Sequence, residues 1–233
     1  MTLMASNLVE EPAYRDRVLV FRDRLHAGQL LADKLRPFLA DRDALLLAVP
    51  AGGVAVGCAV AQRLKIPLDV AIVRKVQVPW NTEAGFGAVT WDGRVLLNEP
   101  LVVQLGLGAK AVEEGISQTR EIVRQRIQKF RGNRPFPSLN GRAVVLAEDG
   151  LASGFTMLAA VESVRTKQTE KIVVAVPTAS AGAIELLAPR VDELACLNIR
   201  GGPVFAVADA YEKWHDLSDN EVLVLLKRSQ KDE

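Results

Sequence analysis

An α/β fold built on a doubly wound, mainly parallel sheet is predicted by three features of the 233-residue sequence. Short continuous apolar runs, of the kind that form strands buried on both faces, alternate with segments of helical periodicity. Gly- and Pro-containing breaks separate run from helix, as strand-to-helix turns require. Right-handed crossovers between such strands give an open sheet whose ligands bind at the carboxyl ends of the strands. One hairpin or loop insertion interrupts the alternation.

Each element follows from its own pattern. Phe21, Leu25, Leu31, Leu35 and Phe38 recur at helical spacing, and the apolar run 44–49 suits a buried strand. Pro50-Ala51-Gly52-Gly53 then breaks the chain, 54–64 is helical in pattern, and 68–73 is the next strand. Residues 76–86, with Pro79, Asn81 and Gly85, are expected to be a mobile loop that orders over bound ligand, and 88–97 around Asp92-Gly93 reads as a hairpin. The segment 110–131 carries Val112, Ile116, Val123, Ile127 and Phe130 on one face, with acids early and cations late as the helix dipole favours. A proline-rich connection, 133–140, leads to the apolar run 144–147, and helical spacing resumes over 157–164. Strands are expected at 171–176 and 191–199 with a helix at Ala181–Leu187 between them, and a last helix at 220–227.

Composition bounds the partners. With 49% hydrophobic and 24% charged residues the chain can bury one substantial core, and a single domain over residues 1–233 is expected, with acceptor-side elements drawn from 200–233. A net charge of +1 argues against a polyanion-binding surface, so nucleic acid is not expected as a partner. Cys58 and Cys196 each lie in apolar segments and read as reduced core thiols. His26 and His215 have no ligand-spaced partner, so a protein zinc site is not expected. Residues 1–17 mix acids and arginines without a long apolar run, which fits neither a signal peptide nor a membrane anchor and leads us to expect a cytoplasmic protein.

The most informative stretch follows the run 144–147. Glu148 and Asp149 stand at the end of a buried strand, and Gly150, Leu151, Ala152, Ser153, Gly154, Phe155 and Thr156 form the turn into the next helix. The first amides of that helix have no intrahelical acceptor and sit at the positive end of its dipole, so the small residues leave room for a phosphate. The two acids would repel that phosphate and suit a vicinal diol instead. A ribose 5-phosphate meets both demands.

The stretch 148–156 resembles the phosphoribosyl pyrophosphate (PRPP) motif of type I phosphoribosyltransferases, in which paired acids bind the ribose hydroxyls and the following loop wraps the 5-phosphate. The resemblance implies that family's sheet with a small hood, and transfer of the phosphoribosyl group of PRPP to a nitrogenous acceptor with release of pyrophosphate. Magnesium is then expected to arrive with PRPP or pyrophosphate, without direct protein ligands. Ala51, Gly52 and Gly53 correspond to the family's pyrophosphate loop, although a tight turn that needs two glycines explains them equally well. Arg74 and Lys75, placed at the end of the strand 68–73, either contact pyrophosphate, as basic residues near this loop do in the family, or are solvated. The family comparison assigns catalysis to Lys75 and Asp149. Tyr211 and Trp214 either cap the acceptor or belong to core or homodimer packing. Glu83 to Ala88 is similar to a Glu-x-x-x-Gly-Ala segment of the family.

Departures from the family pattern keep a second reading open. Ala51 stands where relatives carry arginine, Ser153 replaces threonine, Phe155 puts a ring in the phosphate loop, and Ala152 occupies the position of the acid that serves hypoxanthine-type enzymes. A non-catalytic PRPP-binding regulatory protein is the alternative to an enzyme, and a binder or hydrolase of another ribose phosphate is a third reading.

Overall fold

The computed structural model describes residues 6–229, with the side chains of Thr82 and Glu83 left undescribed. The outer ends of the expected domain, and the Glu83 side chain of the family-like segment, therefore lie outside the described residues. Nine strands and seven α-helices are present among the described residues. A six-stranded sheet has the order β1-β9-β8-β7-β2-β3, and all its pairings are parallel. Its members are β1 (Leu8–Val9), β2 (Ala44–Ala48), β3 (Leu68–Val70), β7 (Ala143–Ala147), β8 (Lys171–Ser180) and β9 (Glu193–Arg200).

Helices cover both faces, as continuous apolar strands demand. Ala44, Leu46 and Ala48 of β2 pack into one core with α1 (Arg24–Leu39), α2 (Gly52–Leu64), α4 (Ala109–Arg131) and α7 (Asp219–Ser229). Leu45 and Leu47 face a second core with α5 (Phe155–Arg165) and α6 (Ala181–Leu187). The alternation of a strand's side chains thus divides one apolar run between two layers. Asp23 caps α1, its carboxylate accepting from the His26 amide at 2.8 Å.

The insertion is a three-stranded antiparallel sheet, β4 (Val73–Val78), β5 (Asn81–Thr90) and β6 (Val95–Leu97). Residues 76–86 are therefore not a loop. They finish β4, turn at Pro79-Trp80 and begin β5, with register shifts around Gln77. Pro79, Asn81 and Gly85 signal the turn and the irregular pairing rather than absence of structure. Arg74 and Lys75 correspondingly lie inside β4, not at the end of the preceding strand, which stops at Val70. The expected hairpin at 88–97 is present, with Gly93 at φ +81° donating to the Thr90 carbonyl at 3.0 Å. Phe21 precedes α1 and instead bridges to Tyr211. The short β1 and α3 (Glu99–Gln104) lack a sequence signal strong enough to anticipate them. β8 runs four residues beyond its expected end, because Thr178 to Ser180 pair with β9 on one side and with Leu151 on the other.

Candidate functional site

The site forms where β7 ends in the middle of the parallel sheet. β7 is wholly buried, so Glu148 and Asp149 emerge at the carboxyl edge with no freedom to retreat into solvent. The Glu148 Oε2 atom is sealed from solvent and has no hydrogen-bond partner. Burial, reinforced by the neighbouring Asp149 charge, pushes the Glu148 carboxyl up to about 8. Burial also raises Asp149, against the opposing pull of Arg24. Arg24 Nε donates to Asp149 Oδ2 at 2.8 Å, and its guanidinium lies 3.8 Å from the centre of the Trp214 ring. The same guanidinium donates to the His215 carbonyl at 2.9 Å. One acid is thus held by a cation, and the other is left with an unused acceptor.

Beyond the acids, the chain is tied down on one side only. The Leu151 amide donates to the Thr178 carbonyl at 3.0 Å, and Ser180 Oγ donates to the Ala152 carbonyl at 2.6 Å. Gly154, at φ +73°, opens α5 without a side-chain cap, and the Phe155 amide donates to Ser153 Oγ at 3.3 Å. Glycine is needed there for the left-handed backbone, and the start of α5 is presented uncapped. All nine residues from Glu148 to Thr156 line one cleft of about 860 Å³.

The other expected residues divide. Ala51 and Gly52, after a cis peptide between Pro50 and Ala51, line the same cleft. A Cβ on Gly52 would overlap the Asp149 carboxylate, so glycine lets the two loops touch. Gly53 is not among the residues that line the cleft; a Cβ there would stand 2.7 Å from the Ala147 carbonyl oxygen, so glycine lets the loop pack closely against β7. Arg74 and Lys75 both line the cleft, but on opposite faces of β4. Lys75 pairs with Ala88, which faces the α5 core, whereas Arg74 pairs with Val89, which faces the α4 core. Trp214 lines the cleft, whereas Tyr211 is buried against Phe21 and Trp214 and donates its hydroxyl to the Asp149 carbonyl at 2.6 Å. Tyr211 is therefore a brace for the acidic pair and not an acceptor surface. Cys196 is buried and Cys58 partly so, and burial pushes the Cys58 thiol up to about 11.

Sequence reasoning did not single out Arg24, Arg126 or Asp219, which also line the cleft. Arg24 carried one usable signal, a cation in the first turn of a helix where the dipole disfavours it. Such a charge must be held by something else. Arg126 was masked by the run of cations expected near the end of α4.

The sequence profile of the phosphoribosyl transferase domain matches residues 22–208. The Mycobacterium tuberculosis (strain ATCC 25618 / H37Rv) protein named "Putative phosphoribosyl transferase Rv0571c" is 36% identical over 213 residues, which cover 91% of this chain and 48% of that protein. The same identity and coverage hold for "Putative phosphoribosyl transferase MT0597" of strain CDC 1551 / Oshkosh, so the chain spans about half the length of the curated relatives it matches. The crystal structure of TT1426 from Thermus thermophilus superposes with a TM-score of 0.74 at 36% identity, covering 90% of this chain and 99% of that one. With the profile match extending over the acidic pair, the phosphate-type turn and the glycine loop together, the chain belongs to the phosphoribosyl transferase domain family.

Proposed function

We propose that the protein is a phosphoribosyltransferase that transfers the 5-phosphoribosyl group of PRPP to a nitrogenous acceptor and releases pyrophosphate. The observation that carries this reading is the unpartnered, sealed Oε2 of Glu148 beside the Arg24-held carboxylate of Asp149, immediately before an uncapped helix start. A vicinal diol satisfies Glu148, and a 5-phosphate satisfies the turn 150–156. With Glu148 protonated and Asp149 ionised, the acids offer one donor and one acceptor to adjacent ribose hydroxyls, which orients the ring without placing two negative charges on it.

In the reaction the bond from the anomeric carbon to pyrophosphate breaks, its electron pair leaves with pyrophosphate, and the acceptor nitrogen bonds the carbon and releases its proton to solvent. Negative charge grows on the leaving group, which this reading puts at the Ala51–Gly52 loop, and Lys75, which lines the same cleft, opposes it. The oxygen donors of Glu148 and Asp149 fit magnesium-bound water, and the ion, carried in by pyrophosphate, supplies charge neutralisation when bound. Ala152 leaves no acid on this loop to deprotonate the acceptor.

Calorimetry with magnesium PRPP, ATP and NAD tests binding, and only PRPP is expected to bind tightly; equal binding of all three would sink the reading. Acceptor-dependent pyrophosphate release across purines, pyrimidines and small amines tests turnover. Lys75→Ala is expected to slow it by roughly ten- to a thousand-fold. A second reading, a PRPP-binding regulator without turnover, is favoured by Ala51, which lines the cleft with a methyl where the family resemblance implies a cation. PRPP binding without release on any acceptor would select it.

A further inference from the structure

The cleft has a second concentration of charge, away from the paired acids. Arg126 donates to Asp219 Oδ1 at 2.9 Å and Lys129 to Asp219 Oδ2 at 2.7 Å, joining α4 to the first turn of α7. Arg74 extends from the α4-facing side of β4 towards the same pair and has no carboxylate within salt-bridge distance among the described residues. Three cations therefore share one acid. The imbalance is partly dehydrated: Arg126 Nε is sealed from solvent without a partner, and burial, then the neighbouring Arg126 charge, lowers Arg74. Two adjacent guanidiniums with spare donors, sharing a single paired acid, are complementary to an oxyanion.

We propose that Arg74 and Arg126 form an oxyanion subsite, distinct from that for pyrophosphate, which takes a carboxylate or phosphate group of the acceptor while Asp219 yields its place. The inference rests on the phosphoribosyl reading. Two observations set the subsite apart from the leaving group. Lys75, the cation assigned to pyrophosphate, leaves the opposite face of β4. The acid that balances Arg126 comes from the chain directly after Trp214, through Asp216, Leu217 and Ser218, all of which line the cleft, and this is the segment on which the phosphoribosyl reading puts the acceptor. Asp219 acts as the resident carboxylate, and an acceptor bearing its own anion replaces it.

Calorimetry on the whole chain tests the proposal, with inorganic phosphate titrated in saturating ribose 5-phosphate so that the turn 150–156 is already occupied, and with magnesium pyrophosphate and magnesium PRPP titrated alone. Asp219→Asn removes the competing charge and is expected to tighten phosphate binding by about threefold or more, while Arg126→Gln weakens it by about tenfold or more and cancels the gain in the double variant. Arg74→Gln, which has no salt bridge to lose, is expected to weaken phosphate alike, so a folding defect at Arg126 cannot imitate the result. Pyrophosphate and PRPP affinities are expected to stay within about twofold in Arg126→Gln, as for sites without shared partners. Phosphate binding indifferent to all three changes overturns the subsite. A parallel loss of pyrophosphate affinity overturns the acceptor assignment by returning the cluster to the leaving group. Phosphate binding that answers to Asp219 and Arg126 in a protein that does not bind PRPP keeps the oxyanion subsite and overturns the phosphoribosyl reading.

Discussion

Arg24 and Asp149 have both left water, with side chains 7% and 15% exposed, so their pairing is worth most when its loss is considered. Removing one partner of a buried pair strands the other charge, whereas removing both restores much of the loss. Arg24→Met is expected to cost about 3–5 kcal/mol of stability, and the Arg24→Met/Asp149→Asn double variant to recover most of it, as urea denaturation will measure. Glu148 poses the opposite problem, a carboxyl whose neutral form the fold prefers. Its pKa in the folded chain, about 8, lies above the ordinary 4.5, so its favourable contribution is complete below the ordinary value and drains away as pH rises to the folded one. Glu148→Gln is expected to match the wild-type melting temperature near about pH 4 and to exceed it increasingly towards about pH 8, a gap that thermal scans would detect. Neither charge state was legible in the sequence, which places the two acids side by side but does not say which one Arg24, distant in the chain, will hold.

At the scale of elements, the acidic strand end and the glycine loop are useful only because β2 and β7 are neighbours in register, Ala48 beside Ala147. Gly52 can then lie against Asp149 where no side chain fits. Gly52→Ala is expected to push the Asp149 carboxylate aside and to weaken magnesium PRPP binding by about tenfold or more, with a smaller change in overall stability; unchanged binding would show that the contact is incidental. The motif turn was readable because strand, acids and helix start are contiguous. The 76–86 segment was misjudged for a related reason. It pairs mainly with its own other half, and the irregular register around Gln77 hides the two-residue alternation on which strand recognition depends.

For the molecule as a whole, α4, which packs on the antiparallel insertion where Gly115 meets Val76 and Phe86, is tied to the parallel sheet at its end. Arg131 grips Asp69 of β3 through two hydrogen bonds of 2.9 and 2.8 Å and donates to the Pro135 carbonyl at 2.9 Å, with its guanidinium 4.7 Å from the Phe136 ring centre. Arg131→Met is expected to lower stability by about 3–5 kcal/mol, since Asp69 would be left largely buried without its counter-charge. Arg63→Met, at the half-exposed Arg63–Asp33 pair, is expected to cost less than about 1 kcal/mol in the same denaturation series. A comparable cost at both sites would show that Arg131 does not act as a clamp.

The sequence by itself determined the layered α/β class, the positions of most strands and helices, and the paired acids with their phosphate-type turn. These are consequences of local periodicity and of contiguous residues, and short-range physics expresses them directly. The tertiary structure alone decided that Arg24 neutralises Asp149, that Tyr211 braces the acids, that Gly53 packs closely against β7, and that Arg74 and Lys75 part to opposite faces of β4. It also decided that Arg126 and Asp219 belong to the cleft. Each depends on which side of a strand or helix a residue occupies and on partners as far apart in the chain as Arg24 and Asp149, 125 residues away. Burial and Coulomb interactions act through space, and that distance is set only when the sheet order is complete.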